Sequence, residues 1–352
     1  MKKFTRILSV LLTLIIVSGS ISIISASATE YHSLGLIADS TATVQAHLNT
    51  SLSVPSTLPS AVDNTANFPA PGDQGSQGSC TAWAVGYALK SAQEIHKRSW
   101  SKTAESHLFS PSFIYNQING GYDNGSSISA AMNLLTTQGV CSRVYCPYDD
   151  SDYITQPSNN AKAAAALYVA SSWDTIQGIS QIKSRIASGD GVVIGVKVYP
   201  DFDAVSSSNQ VYDTISGTSR GNHAICLVGY NNSKNAFKFI NSWGDSWGIG
   251  GYGWISYNLV NSASVNVHGS GIGYILNLTT SDNYIMGDIN KDGKVNSTDA
   301  RLALRYAAKL ETPTAEQFAL ADVNGDAKVN STDAQLINKY AAKLITQFPL
   351  YD

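Results

Sequence analysis

Residues 288–299 read Asp-Ile-Asn-Lys-Asp-Gly-Lys-Val-Asn-Ser-Thr-Asp, and 34 residues later 322–333 read Asp-Val-Asn-Gly-Asp-Ala-Lys-Val-Asn-Ser-Thr-Asp. This near-identical pair marks the C-terminal stretch as a module of its own. Side-chain oxygens stand at loop positions 1, 3, 5, 9 and 12: Asp288, Asn290, Asp292, Asn296 and Asp299, then Asp322, Asn324, Asp326, Asn330 and Asp333. Position 7, Lys294 and Lys328, would add a backbone carbonyl, which completes the EF-hand pattern for calcium, one ion per loop. The last ligand is Asp rather than Glu, and Ala327 stands where the sixth-position glycine is expected, which strains the second turn. Each loop feeds a helix, 300–310 and 334–344, with Tyr306 matching Tyr340. A calcium-sensor helix pair fits poorly, because no helix precedes the first loop. A module of about 65 residues has little core and needs its calcium to fold.

The rest of the chain is organised around 73–90, Asp-Gln-Gly-Ser-Gln-Gly-Ser-Cys-Thr-Ala-Trp-Ala-Val-Gly-Tyr-Ala-Leu-Lys. A Gly/Ser-rich turn delivers Cys80 to a run in which Val85, Ala88, Leu89, Ala92 and Ile95 recur at helical spacing, predicting a helix packed along one face. At the helix N-terminus, unpaired N–H groups and the dipole would stabilise a Cys80 thiolate. A free cysteine is more often a buried structural residue. The flanking glycines argue instead for a loop that another backbone can approach.

A nucleophilic cysteine needs a base, and the chain has six histidines. His32 and His47 lie in an N-terminal segment expected to be removed. His96 lies further along the same helix, about 24 Å away. His107 and His268 sit in polar loops without supporting context. His223 opens the strand pattern 221–230, and the next strand pattern, 236–241, ends in Asn241-Ser-Trp-Gly. Hairpin pairing would bring His223 and Asn241 together, where an amide can fix the imidazole tautomer. A strand histidine more often satisfies only a core hydrogen bond.

Three blocks, Gln74 with Gly-Ser-Cys80, Asn222-His223-Ala224 and Asn241-Ser242-Trp243-Gly244, resemble the papain-like cysteine peptidases in order and spacing. The similarity covers roughly residues 58 to 277. It implies an α+β, two-lobed fold, a helical lobe and a β-rich lobe with the cleft between them. By the same resemblance Cys80 is the nucleophile and His223 its general base and acid. Asn241 orients His223, Trp243 shields that hydrogen bond, and Gln74 joins the Cys80 N–H in the oxyanion hole. Asn119-Gly120-Gly121-Tyr122 resembles the family's substrate edge, where bare backbone pairs with an extended peptide; an ordinary glycine turn is the alternative. Gln77 stands where the family usually has a cysteine, and Thr81 where it has tryptophan, which suggests a bacterial branch. The activity implied is that of an endopeptidase acting on polypeptides without a catalytic cofactor. The alternative is a catalytically restricted binding or protective module.

The tandem loops resemble a type I dockerin, a small all-α plug of paired loop-helix repeats. That resemblance implies two calcium ions and, as partner, a cohesin domain of a cellulosome scaffoldin. Ser297-Thr298 and Ser331-Thr332, at loop positions 10 and 11, would face the cohesin. Arg305/Lys309 and Lys339/Lys343 repeat the pattern, so a half-turn of the module presents nearly the same surface.

At the N-terminus, Lys2, Lys3 and Arg6 precede an apolar run over 7–24 that ends at Ala26-Ser-Ala28: a signal peptide, residues 1–28, rather than a membrane anchor. Export is therefore expected, to an extracellular, cellulosome-associated place, with no membrane partner in the mature form. Residues 29–57 are polar, a short propeptide or only a spacer. The peptidase domain is expected over 58–278, a linker over 279–285 and the dockerin over 286–352. Cys226, three past His223 on one strand, points to the opposite face and reads as core. Cys141 and Cys146 are close enough in sequence to bridge, which spacing alone does not decide. A formal charge of −3 and a charged fraction of 14% indicate no nucleic-acid partner.

Overall fold

A computed structural model describes residues 32–278 and 284–351. The signal peptide and most of the linker lie outside the described residues. No helix among the described residues is long and apolar enough to cross a membrane.

The β-rich lobe is one eight-stranded sheet: β1 (Ala61–Asp63), β2 (Ser172–Gln177), β3 (Val192–Val198), β4 (Val211–Tyr212), β5 (Gly221–Asn231), β6 (Ala236–Ile240), β7 (Tyr252–Ser256) and β8 (Ile272–Asn277). The order is β2-β8-β3-β5-β6-β7-β4, with β1 also on β5, and every pair is antiparallel except β4 with β7. On β5, Ala224, Cys226 and Val228 enter the core of the helical lobe. Ile225, Leu227 and Tyr230 enter the core of the β-rich lobe. Alternation along the strand, shifted by an irregularity between Leu227 and Gly229 so that Tyr230 falls on the β-rich side, thus joins the two lobes. Cys226 is core, as its place opposite His223 requires.

The helical lobe is built on one continuous helix over 80–98. It comprises Cys80–Ala82, a π-wound stretch Trp83–Lys90, and Ser91–Arg98. One apolar face was expected, yet every residue from 80 to 95 is buried. The small residues Ala82, Ala84, Gly86, Ala88 and Ala92 let neighbours close in from all sides; a Cβ on Gly86 would lie 2.3 Å from Ile114 Cδ1. Around it pack the helices Pro111–Ile118, Ile128–Thr137 and Asn159–Ala166, each capped by a serine that accepts a first-turn N–H.

The C-terminal helices Ser297–Ala307 and Ser331–Ala341 begin three residues earlier than periodicity suggested. Asn296 with Asp299, and Asn330 with Asp333, form capping boxes there. Between them the Ala315–Ala321 helix lies on the Asn159–Ala166 helix, and Ala319 joins the helical-lobe core. Tyr145 Oη donates to Asp322 Oδ2 at 2.5 Å, and its ring meets Phe318 edge-on. His107 is no loop histidine: it is buried, with Ser101 O and Leu350 O each 2.8 Å from a ring nitrogen.

Burial of the central helix includes three charges. Lys90 Nζ lies 2.6 Å from Glu94 Oε1, and Arg98 Nε 2.7 Å from Glu94 Oε2. Burial lowers the Lys90 pKa, whereas on Glu94 the two cations outweigh burial and hold the carboxyl below its usual range. Glu94→Gln would strand Lys90 without a counter-charge, a loss on the order of 3–5 kcal/mol. Lys90→Met leaves Glu94 paired with Arg98 and should cost clearly less. Urea unfolding of the two variants checks the ranking; equal losses would contradict it.

Candidate active site

The turn before Cys80 is pinned by carboxylates, its own Asp73 and two from outside. Gly75 N donates to Asp73 Oδ1, Ser76 N to Asp150 Oδ2, and Gly78 N to Asp123 Oδ1, at 2.8, 3.0 and 2.8 Å. Tyr115 Oη holds Asp123 at 2.6 Å. So anchored, the chain enters the central helix with Cys80 as its first residue. The first-turn N–H groups there have no intrahelical acceptor and point at whatever lies before the helix.

Gln74 is fixed on every side. Its backbone N–H donates to Ser242 O at 2.9 Å, and Ser242 Oγ donates to its Oε1 at 2.7 Å. Its Nε2 donates to Gln77 O at 2.8 Å. One amide proton remains for an external acceptor.

His223 Nε2 lies 2.8 Å from Asn241 Oδ1, which also accepts the Ser242 N–H at 2.9 Å. An acceptor oxygen on Nε2 makes that nitrogen the protonated one, so Nδ1 carries the lone pair. Nδ1 is buried and has no hydrogen-bond partner. The next residue, Ala224, offers its backbone to the Cys80 thiol. Trp243, 1% exposed, covers the imidazole with ring centroids 4.6 Å apart.

Cys80 opens the helix as expected, but the flanking glycines had argued against burial. It is fully buried, because residues 32–39 run across it as a strap. Trp243 Nε1 donates to Ser33 O at 3.1 Å, and the His32 ring stacks on Trp243. The N–H of Leu36 donates to Asn222 O at 3.2 Å. Ser126 N donates to Gly35 O at 2.8 Å, and Ile37 N to Ser126 O at 3.0 Å. A Cβ on Gly35 would lie 2.0 Å from Gly78 O, and one on Gly125 2.0 Å from Gly35 O. Only glycines allow this approach. Downstream, the Thr41–Ala46 helix and Asn49 tie the segment to β2 through Thr175.

The strap sets the electrostatics. Burial pushes the Cys80 thiol up to about 11. Burial also lowers His223 to about 4, against the opposing effect of its bond to Asn241. The pair is therefore neutral while covered. The other thiols are free: Cys141 and Cys226 are buried, and a hydrogen bond with Cys141 lowers Cys146 to about 7.

Gly120 and Gly121 follow the Pro111–Ile118 helix. Both have left-handed φ, 70° and 82°, in an exposed turn where an added Cβ would meet nothing. The backbone that pairs with the strap is Ser126, held by Gly125. Sequence reasoning missed Gly35, Asp39, Ser126, Ser129 and Tyr274. The Gly125-Ser-Ser127 run before a helix was the one available signal.

In the second calcium loop, Asp326 N and Ala327 N donate to the two oxygens of Asp322, and Asn330 N to Asp333 Oδ2. Asp333 Oδ1 is buried without a partner. Burial raises Asp322 to about 7, and the charges of Asp333 and Asp326 add to that push. An orphaned oxygen among crowded carboxylates fits a bound cation. The first loop has the same backbone cradle: Asp292 N and Gly293 N donate to Asp288, and Asn296 N to Asp299. Asn290 Nδ2 and Asn324 Nδ2 each donate to the fifth-position aspartate. Left-handed φ falls at positions 4 and 6 of both loops, at Lys291 and Gly293, then at Gly325 and Ala327. Ala327 is thus strained as expected, and Lys291 matches it in the first loop. Ser297, Ser331 and Thr332 are exposed and Thr298 half-buried.

Comparison with known proteins follows the same division. The model of the papain family of cysteine proteases matches residues 58–271, and that of the type I dockerin domain residues 286–341. An uncharacterized peptidase C1-like protein of Acanthamoeba polyphaga mimivirus is 30% identical over 203 residues, 53% of this chain and 64% of that protein. Cathepsin K of Mus musculus is 25% identical over 202 residues, 55% of this chain and 57% of that protein. The chain thus spans less than two thirds of these relatives. Among solved structures, xylellain, a cysteine protease from Xylella fastidiosa, is 26% identical with a TM-score of 0.58, covering 71% of this chain and 96% of its own. The proCathepsin B S9 of Trypanosoma congolense, 19% identical with a TM-score of 0.53 over 66% of this chain and 85% of its own, shares the fold. With its Cys80 helix packed on the strand that carries His223 and a type I dockerin following in the chain, the chain belongs to the papain family of cysteine proteases.

Proposed function

We propose that this chain is a secreted cysteine endopeptidase with a Cys-His-Asn site, closed by its own residues 32–39 and anchored by its dockerin to a cohesin of a cellulosome scaffoldin. The observation that carries this reading is the His223–Asn241 bond, which makes Nδ1 the basic nitrogen and leaves it buried without a partner, next in the chain to Ala224, whose backbone reaches the Cys80 thiol. Residues 1–28 act as the signal peptide, 29–57 as the prosegment that includes the strap, 58–278 as the peptidase, 279–285 as the linker and 286–352 as the dockerin.

With the strap displaced, water and substrate re-enter, and the burial that keeps Cys80 and His223 neutral is relieved. His223 Nδ1 takes the Cys80 proton, and the thiolate adds to the carbonyl carbon of the substrate. The Cys80 N–H and the spare Gln74 Nε2 proton receive the developing oxyanion. Collapse expels the amine, which leaves with the proton held by His223. Water, deprotonated by His223, then adds to the thioester; the acid departs and the thiol is restored. Trp243 keeps water from the His223–Asn241 bond throughout. Gly120 and Gly121 remain candidates for contact with a longer substrate at the cleft rim.

Calcium, when bound, supplies the positive charge that the Asp288 and Asp322 loops lack. Lys294 and Lys328 would contribute their carbonyls there. The dockerin contacts the peptidase through the Ala315–Ala321 helix, while Leu304 on the Ser297–Ala307 helix, and Leu310 and Leu344 just past the ends of the other two helices, are 45, 70 and 75% exposed. The exposure of Ser297, Ser331 and Thr332 supports two faces open to a cohesin.

The full-length chain should hydrolyse casein slowly, and Gly35→Val, which cannot hold the strap against Gly78, should be clearly faster. Cys80→Ala in that opened chain should be inert, and inactivity of the opened chain itself would sink the peptidase reading. Brief iodoacetamide treatment at neutral pH should label Cys146 ahead of Cys80 in the closed chain, because thiolate is the reactive form. In the opened chain the order should reverse; Cys80 labelled first in both would mean that the strap does not cover it.

Within the opened site, Gln74→Ala should lower kcat by about 10²–10³ if its amide meets the oxyanion. Unchanged turnover would remove Gln74 from the site.

Calorimetric titration of a cohesin tests the anchor. Replacing Ser297-Thr298 or Ser331-Thr332 alone by alanines should change affinity little, and replacing both should abolish binding, as should a chelator. The two orientations should differ somewhat in affinity, since Leu304 is matched by Asn338. Loss of binding in one single-pair variant would show that one face alone is used.

A further inference from the structure

We infer that the substrate cleft contains a preformed subsite for a carboxylate, built from Ser129, Tyr274 and His268; this rests on the reading that the cleft takes polypeptide once the strap leaves. The strap occupies the subsite with Asp39, whose side chain is 3% exposed. The Ser129 N–H donates to Asp39 Oδ2 at 3.1 Å, Tyr274 Oη to the same oxygen at 2.8 Å, and Ser129 Oγ to Oδ1. His268, with a fully buried side chain, has Nε2 3.7 Å from Oδ2, and the same nitrogen accepts the Asp39 N–H at 3.2 Å.

The subsite belongs to the enzyme rather than to the strap. Ser129 lies in the first turn of the ten-residue Ile128–Thr137 helix, where N–H groups and dipole favour an anion. Tyr274 is on β8, and the buried His268 ring packs against it. None of these elements depends on residues 32–39 for its backbone pairing, so the donors stay converged when the strap goes. Left empty, they would be buried donors without a good acceptor, which costs free energy. His268 Nδ1 is already buried without a partner.

Position makes the group part of substrate recognition. Leu36, three residues before Asp39, donates its N–H to Asn222 O, beside His223. A Cβ on Gly195 would lie 2.5 Å from Leu36 Cδ2 and 2.8 Å from His268 Cε1. The apolar pocket of Leu36 and the carboxylate cage thus adjoin along Gly195 and His268. A polypeptide lying in this cleft can fill the first with an aliphatic side chain and the second with Asp or Glu. Ser129 and Tyr274 donate to the carboxylate and His268 Nε2 accepts the N–H of the residue that carries it; no carboxylate of the enzyme is among the groups that hold Asp39, so the cage suits an acid better than an ammonium.

The test uses the full-length chain with the cleft vacated by Gly35→Val and Asp39→Ala, and Cys80→Ala so that binding is read without turnover. The probes are terminally blocked octapeptides of alanine with one leucine, in which Asp, Glu, Asn or Gln is scanned through the other positions. Blocked ends ensure that any carboxylate is a side chain. At one or two positions the acid should bind about tenfold tighter than its amide by calorimetry. Tyr274→Phe and, separately, Ser129→Ala should bring that ratio close to one. Equal binding of acid and amide at every position, or a preference that survives both substitutions, would overturn the subsite. The same peptides offered to the opened chain with Cys80 intact test the peptidase reading separately: acid-selective binding without cleavage would sink that reading alone.

Discussion

Strand β5 carries the constraint on which the rest of the molecule depends. Its successive side chains feed two different cores, Ala224, Cys226 and Val228 on one face and Ile225, Leu227 and Tyr230 on the other. A slip of one residue would exchange the faces and put both cores out of register at once. That same register fixes His223 at the start of the strand, opposite Val196 on β3, and aims Ala224 at the Cys80 helix. The strand β6 then delivers Asn241 to the imidazole, with the β5–β6 pairing in register at Cys226 and Ile240. The geometry of the site is a by-product of how the two lobes share one strand.

Because the shared strand is covered on both faces, a small change of cover moves the chemistry a long way. A thiol at about 11 beside an imidazole at about 4 holds no ion pair at neutral pH. Nothing in the hydrogen bonds of Asn241, Gln74 or Ser242 needs to change for the pair to become reactive; only the desolvation does. The strap achieves this with backbone. Gly35 lies where no side chain fits, so the closed state depends on three glycines, 35, 78 and 125, meeting at one point. Asp39 adds a second grip, and a carboxylate there meets donors that the cleft keeps for itself.

Much of this was legible in the sequence, for identifiable reasons. Locally patterned segments declared themselves: the helix beginning at Cys80, the strand patterns at 221–230 and 236–241 and the repeated loops all rest on local patterns that tertiary contacts reinforce. The His223–Asn241 pairing followed from a hairpin, a short-range feature. What the sequence hid was long-range. The burial of Cys80 comes from residues about 45 positions earlier, a short stretch with Leu34, Leu36 and Ile37 inside the segment 29–57, which as a whole is polar and resembles a spacer. His107 and His268 sat in stretches that look like solvent loops, yet each is closed in by a segment more than 200 positions away. A motif drew attention to Gly120 and Gly121, and no motif pointed to Ser126, whose pairing with Leu36 joins positions 90 residues apart.

The duplicated loops carry the same lesson into the dockerin, where near-identity of sequence does not mean identity of circumstance. Each loop needs two left-handed residues and has one glycine for them, at position 6 in the first and position 4 in the second. The remaining position falls to Lys291 or Ala327, at roughly 1–2 kcal/mol each, so the backbone strain is balanced between the halves. Their surroundings are not. Asp322 of the second loop takes a hydrogen bond from Tyr145 of the peptidase, and a Cβ on Gly325 would strike Leu350, whose carbonyl lies on His107. Position 4 of the second loop is a glycine with little room as well as left-handed φ, between Leu350 of the dockerin and Ser106 of the peptidase, and Ala327 bears the strain there. Packing at position 4 thus goes with the exchange of glycines between two otherwise matching loops.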